Sequence, residues 1–188
     1  EILGLNALLL LQHARAPARL DAEQNIVLME DQDRRLWRRE LIAEAFALLD
    51  KAVRLQQPGP YQIQAAIAAV HARAPRSEDT NWNEIDRLYA LLETIQPSPV
   101  VTLNRAVAVM KCDGPEAALA MIEPLESALS SYFHFHGLPG GLLMQLDRND
   151  EARVSFDKAI SLANTAAEAA HIRTHLDKLA AEGKKRQT

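Results

Sequence analysis

The chain has 188 residues, with 21 Lys and Arg against 25 Asp and Glu and a formal net charge of −4. Hydrophobic residues make up 48% but aromatics only 5%, with one Cys and seven Gly. That balance excludes collagenous, low-complexity and disulfide-stapled chains and favours helix, while the acidic total argues against a binder of phosphate backbones.

In chain order, helical periodicity recurs almost throughout and two-residue alternation almost nowhere. Residues 2–14 read as a first helix, stopped before Pro17. Its apolar run at Leu8–Leu11 is too short to span a bilayer and lacks the flanks of a signal peptide. No membrane association is expected. Without an initiator Met, the chain is expected to be a piece of a longer protein that lacks an N-terminal portion. Asn25 to Met29 is the one strand-like stretch, expected as an extended passage within a loop. In the acidic turn after it, Asp31 or Asp33 is placed to cap a second helix. That helix is expected to carry Leu36, Trp37, Leu41, Ile42, Ala45, Leu48, Leu49 and Val53 as a core stripe up to Pro58.

A third helix, 61–73, contains Ala65, Ala66, Ala68 and Ala69, small enough to let a neighbouring helix approach closely. Asn81 and Glu84 form a capping box at the start of a fourth helix, 82–95, which Pro97 and Pro99 end. Further helices are expected near 100–111, 115–125, 131–146, 151–163 and 165–181. The fold class is therefore all-α, with about nine helices arranged as antiparallel hairpins in a tetratricopeptide-like stack. Residues 1–57 are expected as an N-terminal helical pair with an intervening loop. Residues 58–188 are expected as the repeats with a C-terminal capping helix, the whole packed as one domain.

The repeat is visible in the spacing. Ala117 and Ala152 lie 35 residues apart, each just after a turn. Around Ala152, Gly140, Leu143, Phe156 and Ala159 occupy the small, large, aromatic and small positions of a tetratricopeptide repeat. The earlier copies are degenerate: Met121 and Pro124 stand at two of these positions, and Ile85, Tyr89 and Leu92 fit only the second helix. A plain helical bundle is the alternative.

No catalytic set emerges. His134 with His136, and His171 with His175, have the spacing of metal-ligand pairs, but zinc needs three or four ligands. No metal and no cofactor are expected. The acidic turn is better explained by capping than by a divalent cation. Cys112 follows Lys111 at a helix end beside Asp113, where a thiolate is disfavoured, so it reads as a passive small residue. Gly137, Gly140 and Gly141 read as repeat packing, and the basic tail at 183–186 carries no reading of its own. The densest basic cluster, Arg34 to Arg39 with Trp37 inside it, is a candidate contact for an acidic surface, or a solvated face paired with Glu40 and Glu44.

Three segments together carry a resemblance. These are Glu30-Asp-Gln-Asp-Arg-Arg-Leu-Trp37, the run from Pro58 through Gln62 and Gln64 to His71, and the run from Pro97 through Asn104 and Arg105 to Val109. With Trp82, Ile85, Tyr89, Gly114 and Pro115, they are similar to the C-terminal extension of a bacterial group of extracytoplasmic-function RNA polymerase sigma factors. There a tetratricopeptide-like domain comes after the two promoter- and polymerase-binding sigma regions. The resemblance implies a cytoplasmic, non-enzymatic regulatory domain whose partners are the sigma regions of the same factor, RNA polymerase, or both. Neither promoter-reading region lies in these 188 residues, so no direct DNA binding is expected. Candidate partner-binding residues are Arg34, Trp37, Arg38, Gln62, Gln64, Asn104 and Arg105. A free-standing tetratricopeptide-like adaptor for peptides and a helical metal-dependent enzyme are the alternatives.

Overall fold

The computed structural model describes residues 1–186, with side chains to residue 181; the basic tail at 183–186 lies outside the described side chains. The described residues are all-α. Nine helices of eight or more residues, a four-residue helical turn and four short 3-10 turns account for the elements. Inter-residue contacts group the chain into two compact units, residues 1–23 with 27–101, and residues 24–26 with 102–188. The boundary expected at 57/58 falls inside the first unit.

In the first unit, α1 (Ile2–Ala14), α2 (Arg39–Arg54), α3 (Pro60–Arg73) and α4 (Trp82–Ile95) pack in sequence, and α1 also packs on α3. The buried stripe of α1 is Gly4, Ala7, Leu11 and Ala14. Its small residues bring the backbone so near α3 that a Cβ on Gly4 would lie 2.6 Å from the Gln62 Cα and N. Leu11, Trp37, Ile42, Ala45, Ala65, Ala69 and Ala72 complete that core. Because α1 packs on α3, residues 1–57 do not form a unit separate from α3 and α4.

Helix α2 starts at Arg39 rather than after the acidic turn. Residues 34–36 form a 3-10 turn capped by Asp33, whose carboxylate accepts from the Arg35 N–H at 2.9 Å. Trp37 is then extended, and the Arg38 N–H donates to the Ala14 carbonyl at 3.0 Å. A tertiary hydrogen bond at the end of α1 thus overrides local helical propensity. Leu36 and Trp37 leave the α2 stripe as a result. Asn25 to Met29 is loop, held by Val27 N–H donating to the Arg19 carbonyl at 2.9 Å. Asn81 caps α4, accepting from the Glu84 N–H at 3.1 Å.

The second unit contains most of α5 (Pro99–Asp113), then α6 (Pro115–Ile122), the turn α7 (Glu126–Leu129), α8 (Phe133–Gln145), α9 (Asn149–Leu162) and α10 (Ala166–Arg186). Helices α8 and α9 form a tight hairpin. Phe156 is 1% exposed and lies against Gly140, where a Cβ would come within 2.5 Å of the ring. Ala152, Ala159, Leu142 and Leu143 are buried in the same unit. No helix among the described residues is long and apolar enough to cross a membrane.

Candidate functional site

An open cleft of about 480 Å³ lies in the first unit between α2, α3 and α4. Its floor is α3, where Gln62, Ala66, Ala69 and Arg73 recur every three or four residues along one stripe. Phe46, Leu49 and Val53 of α2 form one wall, and Leu88 and Leu91 of α4 form the other. The alanines that allow close helix packing also leave the floor low between two taller walls. Val53 is 62% exposed and Leu91 44%, so the apolar walls face solvent. Asp50, Gln62 and Arg73 are the polar lining groups, and Arg73 donates to Glu84 at 3.1 Å.

The candidate contact residues scatter. Trp37 is only 2% exposed and lies in the core, while Arg34, 7% exposed, contributes to the lining of an open pocket shared with Gln32, Asp33, Arg35 and Arg39. The Arg34 guanidinium turns inward, donating Nη1 to the carbonyls of His71 and Ala74 at the end of α3 and Nη2 to Thr80 Oγ1. It also sits 4.8 Å from the centre of the Trp37 ring, with Arg15 at 5.9 Å. Arg38 is exposed and meets His13 Nε2 at 2.9 Å. Gln62 lines the cleft; Gln64 is half-buried on α3 outside it. Asn104 is exposed and Arg105 half-buried on α5, both in the second unit. The expected pairing of the basic cluster with Glu40 and Glu44 is replaced by a bidentate Arg35–Asp33 pair at 2.8–3.1 Å.

The histidines also take other roles. His136 is buried and donates from Nε2 to the Ser130 carbonyl at 2.9 Å, while His134 is exposed with its ring edge-on to Tyr132 and Phe133. His171 and His175 are half-buried rather than on the open surface, and His175 stacks on Phe156 with ring centres 5.2 Å apart. Burial pushes the pKa of each down. Among the described residues, no group of three His, Cys, Asp or Glu side chains converges.

Next to Arg34, His71 is pushed down to about 4 by burial first, then by Arg15 and Arg34. The unfolded chain, near its ordinary 6.5, therefore takes up the proton first as pH falls. Stability is expected to be full above about pH 6.5 and to fall by about 3 kcal/mol toward pH 4. His71→Gln should flatten this slope in part, since His171 and His175 shift in the same sense. Urea unfolding at a series of pH values measures it, and an unchanged slope in the variant would refute the assignment.

The cleft residues Phe46, Asp50, Val53, Ala66, Leu88 and Leu91 were not candidates from sequence. The only signal was the combination of an apolar α2 stripe with an alanine-rich α3, which equally describes a closed core.

Residues 1–53 match a family of unknown function, DUF6596. An uncharacterized protein of Rhizobium meliloti (strain 1021) is 68% identical over 182 residues, covering 97% of this chain and 43% of the relative. The chain thus spans under half the length of that relative. No solved structure matches.

Proposed function

We propose that residues 1–188 form a non-enzymatic, cytoplasmic regulatory domain of an extracytoplasmic-function sigma factor. It acts by binding protein, either the sigma regions of its own polypeptide or RNA polymerase. The observation that carries the protein-binding part is the solvent-facing apolar cleft between α2, α3 and α4. The cleft offers exposed apolar side chains, Val53 and Leu91 among them, for a partner to cover. The sigma-factor part rests on the resemblance of the segments from Glu30, Pro58 and Pro97, and the length of the relative leaves room for further domains.

The intact Rhizobium meliloti relative supplies the test. It is expected to co-purify with core RNA polymerase and to start transcription from its own promoter. Deleting the segment shared with this chain should abolish or deregulate that transcription. An intact relative that neither associates with polymerase nor supports promoter-dependent transcription would sink the sigma-factor reading.

A further inference from the structure

We propose that the polar pocket between the acidic turn and the loop from α3 to α4 binds a free α-amino acid, with the ligand carboxylate on Arg34 and Arg39 and its ammonium group at Gln32. The site shares no lining residue with the apolar cleft, and the proposal does not rest on the protein-binding reading.

The pocket has a volume of about 460 Å³ and is lined from the segments 30–39 and 75–78. That is the size of an ordinary small-molecule site. Two of the lining residues are polar yet buried, Gln32 at 8% exposure and Arg34 at 7%. Each keeps one polar atom without a hydrogen-bond partner among the described residues, Gln32 Oε1 and Arg34 Nε. Gln32 Nε2 donates to the Val27 carbonyl at 3.2 Å. A carbonyl only accepts, so this bond fixes the orientation of the carboxamide and leaves Oε1 as a bare acceptor. Arg34 spends Nη1 and Nη2 on His71, Ala74 and Thr80, which leaves its Nε–H as a bare donor. Buried polar groups are as a rule paired, and an orphan donor with an orphan acceptor calls for a ligand that brings both partners. The existing bonds already hold the two side chains in place, so ordering them on binding costs little. Arg35 and Arg39 are exposed, and entry to the buried atoms asks only such rim side chains to swing.

Charge decides among ligand classes. Asp33 holds Arg35 at 2.8–3.1 Å, and Asp79 holds Arg76 at 2.9 Å with Glu78 at 3.6 Å. The hydrogen bonds of Arg34 and Arg39 go instead to carbonyls and a hydroxyl, Arg39 donating to the Arg34 carbonyl at 3.4 Å. These two guanidiniums are the ones placed to take a carboxylate through charge-assisted hydrogen bonds. Against the four lining arginines stand Glu30, Asp33 and Glu78, with Asp79 a fourth carboxylate bound to Arg76. Four positive and four negative groups leave no surplus for a polyanion. A fully ionised phosphate also has no N–H or O–H to give to Gln32 Oε1. A zwitterion meets both conditions, since it carries no net charge, accepts at one end and donates at the other. Pro75 is the single apolar residue among those that line the pocket, so the amino acid it suits has a polar side chain.

Heteronuclear NMR of the isotope-labelled 188-residue chain tests the proposal by reading the Arg34 Nε–H and Gln32 side-chain amide signals, assigned by through-bond correlation. Polar L-amino acids are added singly at about 10 mM, with inorganic phosphate as the plain anion. At least one amino acid is expected to shift both signals saturably, with a Kd below about 1 mM. Its carboxamide lacks the carboxylate and its N-acetyl derivative lacks the charge on nitrogen, and each should bind at least about tenfold more weakly. Arg39→Gln removes a cation from an exposed position, so folding is preserved, and it should weaken binding by about tenfold. Arg87→Gln, at an exposed arginine of α4 outside the pocket, should leave the Kd unchanged.

No saturable shift with any of the amino acids would overturn the proposal and leave the two orphan atoms to an ordered water. Equal shifts with inorganic phosphate would make the pocket a general anion site. Equal affinity for the N-acetyl derivative would assign it to the C-terminus of a peptide, and an unchanged Kd in Arg39→Gln would remove the carboxylate from its assigned place. Each of these results leaves the sigma-factor reading to its own test.

Discussion

Arg34→Met is expected to lower folding stability by on the order of 4 kcal/mol, although it keeps much of the aliphatic bulk. The end of an α-helix leaves its last carbonyls without intrahelical partners. In α3 two such carbonyls, His71 and Ala74, point at the Arg34 Nη1, the Ala74 bond being 2.7 Å long. Nη2 reaches Thr80 Oγ1 at 3.3 Å, so one guanidinium ties the end of α3 to the loop that leads into α4. Its charge also sits at the negative end of the α3 dipole and over the Trp37 ring. Met removes every donor and leaves buried acceptors, each costing about 1–3 kcal/mol when unpaired. Arg34→Lys restores the charge but not the planar fork that addresses several acceptors at once, so it should recover less than half of the loss. Urea unfolding of the three proteins decides the matter. A Met variant within about 1 kcal/mol of wild type would mean that the guanidinium does not hold the end of α3. A surface contact of the basic cluster is better probed by Arg38→Glu, at an exposed residue, than by any change at Arg34, which is buried.

The contrast between these two arginines shows what the sequence could convey. Arg34 and Arg38 sit four residues apart in a basic cluster, and on one continuous helix they would share a face. They do not share one, because the Arg38 N–H bonds to the end of α1 and Trp37 is drawn into the core. Nothing local to residues 34–39 encodes that hydrogen bond. Helix positions fared better, since Pro17, Pro58 and Pro97 lie between the long helices and Pro99 opens α5, where the missing backbone donor is no loss, although Pro139 sits inside α8. The cleft was illegible for a third reason. Leu49 and Val53 lie on an apolar stripe whatever surrounds them, and only the count of neighbouring helices decides whether such a stripe is covered. With α3 low and alanine-rich, the stripe stays open.

The hairpin of α8 and α9 offers the other large effect, and it tests whether the repeat-like spacing is a packing rule here. Phe156→Ala should cost about 3–5 kcal/mol, the range for emptying a buried aromatic site, because Phe156 is 1% exposed and meets Gly140 and His175. Gly140→Ala should also destabilise in the wild-type background. Its new Cβ would lie 2.5–2.9 Å from three atoms of the Phe156 ring, and a fully buried ring has nowhere to move. Overpacking of this kind costs about 1–3 kcal/mol, less the roughly 1 kcal/mol that Ala gains over Gly within a helix. In the Phe156→Ala background the clash is gone and only the helical gain is left, so Gly140→Ala should become neutral or stabilising there. The sign of the second substitution thus depends on the first. A double-mutant cycle in urea should give a coupling of about 1–3 kcal/mol between the two positions. Additivity within about 0.5 kcal/mol would show that the small residue at 140 is not there to admit the aromatic at 156, and the spacing that places Gly140, Ala152, Phe156 and Ala159 would then lose its physical meaning as a repeat.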